Sequence, residues 1–174
     1  NNIGEYVDLF FSDYEKMKTG VMEELKKSFL GKLDCRVIAN GIDTHTFCWP
    51  KEKGKLREKY GYSVEEKIIL GVAAGYQDER KGVEYILRLA EDLRDARILL
   101  IGWNEKLNPM KKGLTNVVTM KTIQDRQLLA EYYGMADVFV IPSLAENYAT
   151  TVLEAFACGT PVAGFDIGGI PQQL

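Results

Sequence analysis

The composition of this 174-residue chain, with 46% hydrophobic and 27% charged residues, is that of an ordinary soluble globular protein. With a net charge of −3, the chain has no excess of basic residues that would indicate nucleic-acid binding. No apolar run approaches the roughly 20 residues that a membrane-spanning helix needs. Three widely spaced cysteines without a CxxC pair, and an opening that lacks the pattern of a signal peptide, predict a cytoplasmic protein with reduced thiols. The single histidine, His45, leaves little from which to build a catalytic triad or a histidine-based metal site, and we expect it at the surface.

The first 66 residues predict few regular elements. Ser12 and Glu15 form a capping box, which marks the start of a helix whose apolar residues recur at spacings of three and four. The elements predicted here are an apolar stretch over 7–11, the helix from Ser12 to Gly31, a short strand over 36–39, a turn at Asn40-Gly41, and a polar surface connection over 48–63 that carries a short helix.

From Lys67 onward, apolar strands alternate with helices. Strands are predicted over 68–73, 98–101, 117–120, 138–141 and 161–165. Helices are predicted from Val83, with Val83, Ile86, Leu87 and Ala90 facing inward, over 128–133, and from Thr151 to Gly159. Continuous apolar strands are typical of a sheet covered on both faces, and the alternation predicts right-handed βαβ units. The fold class is therefore α/β, with a parallel sheet flanked by helices.

In such sheets, ligands bind beyond the carboxyl ends of the strands. The segments that follow the predicted strands are 74–82, 102–104, 121–124, 142–151 and 166–170.

Two glutamates, Glu146 and Glu154, stand in or beside the fourth of these segments. Thr151 and Glu154 have the spacing of a capping box, so one interpretation of Glu154 is that it only satisfies a backbone N–H at the helix start. Glu146 has no such duty, and its alternative interpretation is a solvated loop residue. The functional interpretation is that both carboxylates accept hydrogen bonds from a ligand.

The loop between the glutamates favours that functional interpretation. Asn147, Tyr148, Ala149 and Thr150 lead into a helix start, where unpaired N–H groups and the helix dipole favour an anion. Small side chains over 149–151 allow a ligand to approach the backbone. A diphosphate flanked by two diols suits this layout, and a nucleotide sugar has that shape.

The turn over 75–82 contains Arg80 and Lys81 at a helix start, where cations oppose the dipole. Adjacent basic residues beyond a strand can clamp a diphosphate, whereas the alternative is internal pairing with Asp78 and Glu79. The sequence has neither a Walker motif nor GxGxxG, and it has no Asp-x-Asp pair. We therefore expect phosphate to be neutralised by Arg, Lys and a helix end, without a metal or other cofactor.

An ordered set of motifs carries a family resemblance over residues 36–174. The motifs are Val37-Ile38-Ala39-Asn40-Gly41-Ile42-Asp43, Arg80-Lys81-Gly82, Ala136 to Ser143, the Glu146-x7-Glu154 pair, Ala157 to Val162, and Gly168-Gly169-Ile170-Pro171. This set resembles the C-terminal half of family 4 retaining glycosyltransferases, which have the GT-B architecture of two Rossmann-like domains facing a cleft.

The resemblance implies specific roles. Glu154 would bind the ribose, Glu146 would lie against the transferred sugar as the catalytic carboxylate, and Lys81 would bind phosphate. The remaining donor-binding residues implied are Arg80, the base-contacting loop with Thr122 and Ile123, and the segment Asn147, Tyr148, Ala149, Thr150 and Thr151.

The resemblance also implies a domain division. Residues 1–35 would be the end of an N-terminal domain, 36–66 a hinge and connection, and 67–174 the nucleotide-sugar-binding domain.

The partners implied by the resemblance are a UDP- or GDP-sugar and the missing N-terminal, acceptor-binding domain of a longer parent, with no nucleic acid. The parent would build a polysaccharide or glycolipid, and peripheral membrane association stays open. Residues 1–174 alone should be inactive.

Three features depart from the family pattern. Tyr76 stands where an arginine is common, Gln172 replaces a glutamate, and Asn147-Tyr148-Ala149 replaces Gly-Phe-Gly. Alanine fits the last of these positions without strain if the φ of Ala149 is negative.

Two alternatives remain open: a non-catalytic nucleotide-sugar binding module and a nucleotide-sugar epimerase. The Glu-x7-Glu pair and the Arg-Lys-Gly turn favour the transferase over the epimerase.

Overall fold

The computed structural model describes residues 6–9, 26–29, 31–37, 40–103, 113–146, 148–171 and 173–174. Within these ranges the strands are β1 (Tyr6–Leu9), β2 (Asp34–Val37), β3 (Lys67–Val72), β4 (Ala96–Ile101), β5 (Val117–Met120), β6 (Val138–Ile141) and β7 (Val162–Gly164). The helices are α1 (Lys53–Lys59), α2 (Val83–Asp92), α3 (Arg126–Met135) and α4 (Thr150–Ala157), with a 3₁₀ turn at Glu79–Lys81.

The main sheet has five parallel strands in the order β5-β4-β3-β6-β7. The order reverses direction at β3 and β6, so β3 and β6 are central neighbours although they are not consecutive in the chain. The predicted parallel α/β sheet with flanking helices is thus confirmed. β1 and β2 form a separate parallel pair, in which Tyr6 is opposite Asp34.

Helices cover both faces of the sheet, which explains the continuous apolar strands. In β3, Ile68 and Leu70 pack into the core on one side, while Ile69 packs with α2 on the other. The predicted inward residues of α2 are all buried, namely Val83, Ile86, Leu87 and Ala90. Because successive strand residues face opposite layers, a strand between two layers must be apolar throughout.

The connection that carries α1 is attached to the main domain through Arg57. This side chain is buried, with a relative exposure of 5%. It donates to the carbonyls of Met135 (3.0 Å), Val64 (2.7 Å) and Glu66 (3.0 Å) and to the carboxylate of Asp137 (2.7 Å). Nearby, Phe47 is fully buried in the core under α3. The connection therefore lies on the surface as predicted, but its Arg57 side chain reaches inward, as does Phe47 just before it.

Some predicted boundaries differ from the structure. The predicted turn at Asn40-Gly41 is wrong, because the turn lies further on, where the Asp43 carboxylate accepts hydrogen bonds from the His45 N–H (2.9 Å) and the Thr46 hydroxyl (2.7 Å). The strand predicted over 36–39 begins earlier, at Asp34, and positions 38 and 39 lie outside the described residues. The predicted helix from Ser12 also lies outside them, except for its end at 26–29.

Helix α3 begins with a side-chain cap from Asp125. Its carboxylate accepts from the backbone N–H groups of Gln127 (2.9 Å) and Leu128 (3.1 Å). We predict that Asp125→Ala lowers the free energy of unfolding by about 1 kcal/mol, because two helix N–H groups lose their acceptor. Urea denaturation measures this, with exposed Glu91→Ala on α2 as a control that should change little. Equal effects of the two substitutions would contradict the capping role.

Candidate functional site

A cavity of about 340 Å³ lies at the carboxyl ends of β3 and β6. Its lining comes from the ends of both strands, from Lys81 in the 3₁₀ turn, and from Glu146 and residues 148–151 at the start of α4. The strand order reverses at β3 and β6, and open α/β sheets bind ligands at such a point. The structure therefore brings two separately predicted segments, 74–82 and 142–151, to one site.

The 3₁₀ turn is held against the loop after β6 by close backbone packing. Gly82 has φ +63°, and a Cβ built on it would lie 1.9 Å from the carbonyl oxygen of Pro142. The N–H of Leu144 donates to the carbonyl of Arg80 at 2.7 Å. Only glycine fits between these two segments, so Gly82 is what allows Lys81 to reach the loop.

Lys81 and Glu146 form an ion pair across the cavity. The Lys81 Nζ lies 2.8 Å from Glu146 Oε2, and the two side chains are 28% and 17% exposed. The hydroxyl of Ser143 lies 3.4 Å from the same carboxylate oxygen. Glu146 is thus a partly buried residue of the cavity wall, and a cation and an anion face each other where a ligand would enter.

Arg80 lies outside the cavity lining. Its side chain is 72% exposed and donates to the Asp78 carboxylate through Nε (3.1 Å) and an Nη atom (2.7 Å). These hydrogen bonds lower the pKa of Asp78. The internal pairing considered for this charge run is therefore present for Arg80, whereas Lys81 faces the site.

The start of α4 differs from the predicted capping box. The helix begins at Thr150, its N-cap is Ala149, and no side chain caps it, so the prediction of Thr151 as N-cap is wrong. Ala149 has φ −74° and ψ 113°, which meets the condition of a negative φ at this position. The first N–H groups of an α-helix lack intrahelical partners, so those of Thr150 and Thr151 are suited to an anion in the cavity that both residues line.

Gln173, a residue that we did not predict, binds the backbone of Ala149, the N-cap residue of α4. Its Oε1 accepts from the Ala149 N–H and its Nε2 donates to the Ala149 carbonyl, both at 3.0 Å. Twenty-four positions separate the two residues, so no local sequence pattern signals the contact. The contact fixes the backbone at the point where the loop becomes a helix.

We predict that Gln173→Leu lowers the free energy of unfolding by about 1 kcal/mol, since the paired amide contact is lost. It should also speed amide hydrogen exchange at Ala149. The matched control is Gln127→Leu, on the exposed start of α3. Unchanged exchange at Ala149 in Gln173→Leu would show that the amide does not hold the loop.

Glu154 lies in α4 and faces the core rather than the cavity. Its relative exposure is 8%, and Oε2 accepts a hydrogen bond from the Tyr133 hydroxyl at 3.0 Å. Burial raises the pKa of Glu154, while the Tyr133 bond and the positive charge of Arg126 oppose the rise. Because Glu154 bonds a side chain on α3, the local interpretation as a capping residue is wrong.

The remaining predicted residues lie partly in the cavity lining and partly outside it. Thr122 is exposed and Ile123 half-buried in the irregular segment after β5, outside the cavity lining. Tyr148 lines the cavity, and Asn147 and Gln172 lie outside the described residues. Tyr76, at the position where the resemblance implies an arginine, lines the cavity, is 2% exposed and packs on Trp103 with ring centroids 5.8 Å apart.

Other reactive groups are poorly placed for chemistry. His45 is exposed, as predicted. Cys48 is an exposed free thiol, and Cys158 is a buried one whose pKa is raised by burial to about 12, so Cys158 is a poor nucleophile. In the described part of the chain, no group of three or more His, Cys, Asp and Glu side chains could hold a metal ion. Among the helices described, none is long and apolar enough to cross a bilayer.

Comparison with known families identifies the class of protein that carries this site. Residues 66–174 match the family model described as Glycosyl transferases group 1, and the chain belongs to that enzyme family. It is 29% identical over 148 residues to the D-inositol 3-phosphate glycosyltransferase of Mycobacteroides abscessus. That alignment covers 79% of this chain and 33% of the relative, so the chain spans about a third of the relative's length.

Solved structures agree on the fold. The sucrose-phosphate synthase of Thermosynechococcus elongatus superimposes with a TM-score of 0.72 at 25% identity, over 94% of this chain and 41% of that one. Anabaena HepE, solved in complex with UDP-glucose, superimposes with a TM-score of 0.68 at 19% identity, over 94% of this chain and 46% of that one. The fold is the Rossmann-like α/β fold of GT-B glycosyltransferases.

Proposed function

We propose that this chain is the donor-binding, C-terminal part of a family 4 retaining glycosyltransferase. It would hold a nucleoside diphosphate sugar while the sugar moves to an acceptor hydroxyl. The observation that carries the proposal is the meeting of Lys81, Glu146 and the start of α4 in one cavity beyond β3 and β6. A cation, a carboxylate and free helix N–H groups at one point match a diphosphate bonded to a sugar.

The residues would divide the donor between them. Lys81 and the N–H groups of Thr150 and Thr151 take the diphosphate, Glu146 lies against the transferred sugar, and Glu154 accepts from the ribose. Positive charge at the diphosphate stabilises the leaving group as the bond to the sugar breaks. The likeness to HepE, which was solved with UDP-glucose, supports a donor of this class.

Donor binding would rearrange the Lys81–Glu146 pair. The ammonium group of Lys81 has three N–H donors, of which one bonds Glu146 Oε2 at 2.8 Å, so phosphate and carboxylate can share or exchange it. The carboxylate of Glu146 then becomes available for sugar hydroxyls, which are hydrogen-bond donors. In this scheme the ion pair holds both side chains in place before the donor arrives.

The proposal includes a metal-free donor site. Lys81 and the positive end of the α4 dipole supply the charge that a divalent cation supplies in other transferases. The acceptor would come from a partner domain of a longer parent chain that builds a polysaccharide or glycolipid. Residues 1–174 alone should bind donor and transfer nothing.

Calorimetry tests this proposal. We expect the chain to bind UDP or GDP, and the corresponding sugar nucleotides, equally well with EDTA and with Mg²⁺. Uridine and guanosine serve as controls and should bind far more weakly, because they lack the diphosphate. Binding seen only with Mg²⁺ would refute the metal-free site, and no binding of any nucleotide or sugar nucleotide would refute the donor site itself.

A further inference from the structure

Tyr133 is locked in the core under the helix that carries Glu154. Its side chain is fully buried, with edge-to-face contacts to Phe47 (centroids 6.1 Å apart) and Phe139 (5.4 Å). Its backbone carbonyl accepts from the Thr160 hydroxyl at 2.6 Å, just beyond the end of α4. The ring therefore has a single position, and the hydroxyl at its tip is fixed with it.

The hydroxyl points at the carboxylate of Glu154. The distance to Oε2 is 3.0 Å, and both side chains are nearly or fully buried. A carboxylate accepts at both oxygens and has about four lone-pair directions. The bond to Tyr133 thus uses part of Oε2 and leaves Oε1 for a second donor.

Packing alone does not account for this pair. A phenylalanine would fill almost the same space against Phe47 and Phe139, and burying a carboxylate is unfavourable unless it is hydrogen-bonded. When both partners of such a bond are replaced by apolar groups of the same shape, stability is often unchanged. The pair therefore points to a use for the carboxylate rather than to a need of the core.

We propose that Tyr133 is a positioning residue that orients the Glu154 carboxylate toward the ribose hydroxyls of the donor. This inference rests on the proposed function, in which Glu154 binds the ribose. Tyr133 itself touches no substrate. Its hydroxyl holds Oε2, which leaves Oε1 to accept from the ribose.

The same bond favours the charged, accepting form of Glu154 over the protonated form. The groups that interact electrostatically with Glu154 are Tyr133 and Arg126 on α3 and Cys158 at the end of α4. Burial raises the pKa of Glu154, and the Tyr133 hydrogen bond is the larger of the two effects that oppose it. Without that bond the pKa rises further, and a protonated Glu154 loses acceptor capacity for ribose.

The test is Tyr133→Phe, with Tyr132→Phe as the matched control on the same helix. We expect Tyr133→Phe to lower the affinity for UDP-glucose about five-fold, the value of one modest hydrogen bond, and Tyr132→Phe to leave it unchanged. As the pH falls, the affinity should begin to drop at a higher pH in Tyr133→Phe than in the wild type. UDP-glucose suits this measurement because it has no terminal phosphate that titrates nearby.

Two further measurements separate positioning from general structure. In a Glu154→Ala background, which removes the acceptor of the Tyr133 hydrogen bond, Tyr133→Phe should cause no additional loss of affinity, because its effect passes through the carboxylate. A UDP-glucose analogue without the ribose 2′ and 3′ hydroxyls should bind wild type and Tyr133→Phe equally. An affinity loss that persists in the Glu154→Ala background, or with this analogue, would overturn the proposal.

The outcomes also distinguish this inference from the proposed function. If Glu154→Gln weakens UDP-glucose but Tyr133→Phe changes neither the affinity nor its pH dependence, Tyr133 is only a core residue and the donor site stands. If Glu154→Gln has no effect either, the ribose assignment fails and the role of Tyr133 fails with it. Urea denaturation of each variant identifies any loss of affinity that comes from unfolding.

Discussion

Lys81→Met is expected to weaken UDP binding by about ten-fold to a hundred-fold, while uridine binding stays unchanged. Lys81 is the charged donor that lines the cavity beside Thr150 and Thr151, and a hydrogen bond to a charged group contributes on the order of 1.5–3 kcal/mol. The measurement is calorimetric titration with UDP and uridine at two salt concentrations. The salt dependence of UDP binding should fall in the variant, since one screened charge pair is lost.

The matched control for Lys81 is its neighbour Arg80. Arg80→Met removes an equal charge from the same turn, but that side chain is exposed and bonded to Asp78, so we expect a small effect. Lys81→Met also removes the ion pair with Glu146, and the double variant Lys81→Met/Glu146→Gln controls for that loss. If Arg80→Met weakens UDP as much as Lys81→Met does, the diphosphate lies on the outer side of the turn and the assignment of the cavity is wrong.

Glu154→Gln is expected to keep the fold and to lower the affinity for a nucleoside diphosphate about ten-fold or more. Glutamine still accepts from the Tyr133 hydroxyl but offers the ribose a neutral acceptor in place of a charged one. UDP and GDP affinities, measured on the wild type and the variant, decide this. The loss should disappear with a nucleotide that lacks the ribose hydroxyls.

The stability of Glu154→Gln provides an internal check. Burial places the pKa of Glu154 above its unfolded value, so the folded state binds the proton more tightly and stability falls as the pH rises between the two values. Because burial disfavours the ionised carboxylate, the glutamine variant should at neutral pH be as stable as the wild type or more so. A large loss of stability would instead assign Glu154 to the core alone.

Glu146→Gln separates the two carboxylates. Its proposed partner is the transferred sugar, so UDP affinity should stay near the wild-type value while sugar-nucleotide affinity falls. If Glu146→Gln weakens UDP and Glu154→Gln does not, the roles are reversed. If neither substitution affects any nucleotide, both glutamates are structural.

The sequence by itself determined the architecture. The continuous apolar run at 68–73 predicted a strand covered on both faces, and β3 is that strand. The spacing of Val83, Ile86, Leu87 and Ala90 predicted the buried face of α2. Gly159, with φ +75°, ends α4 where the glycine and the following proline indicated. These features depend on periodicity and on backbone preferences, which operate within a few residues.

Only the tertiary structure decided which of the predicted site residues meet, and how. Lys81 contacts Glu146 across 65 positions, and Gln173 holds Ala149 across 24. The Thr-x-x-Glu pattern at 151–154 has the spacing of a capping box. The helix nevertheless begins at Thr150, and Glu154 accepts a hydrogen bond from Tyr133, 21 residues away. A local sequence pattern cannot reveal a hydrogen-bond partner that is distant in the chain. The sheet order β5-β4-β3-β6-β7 is what brings distant loops and helices together at one edge.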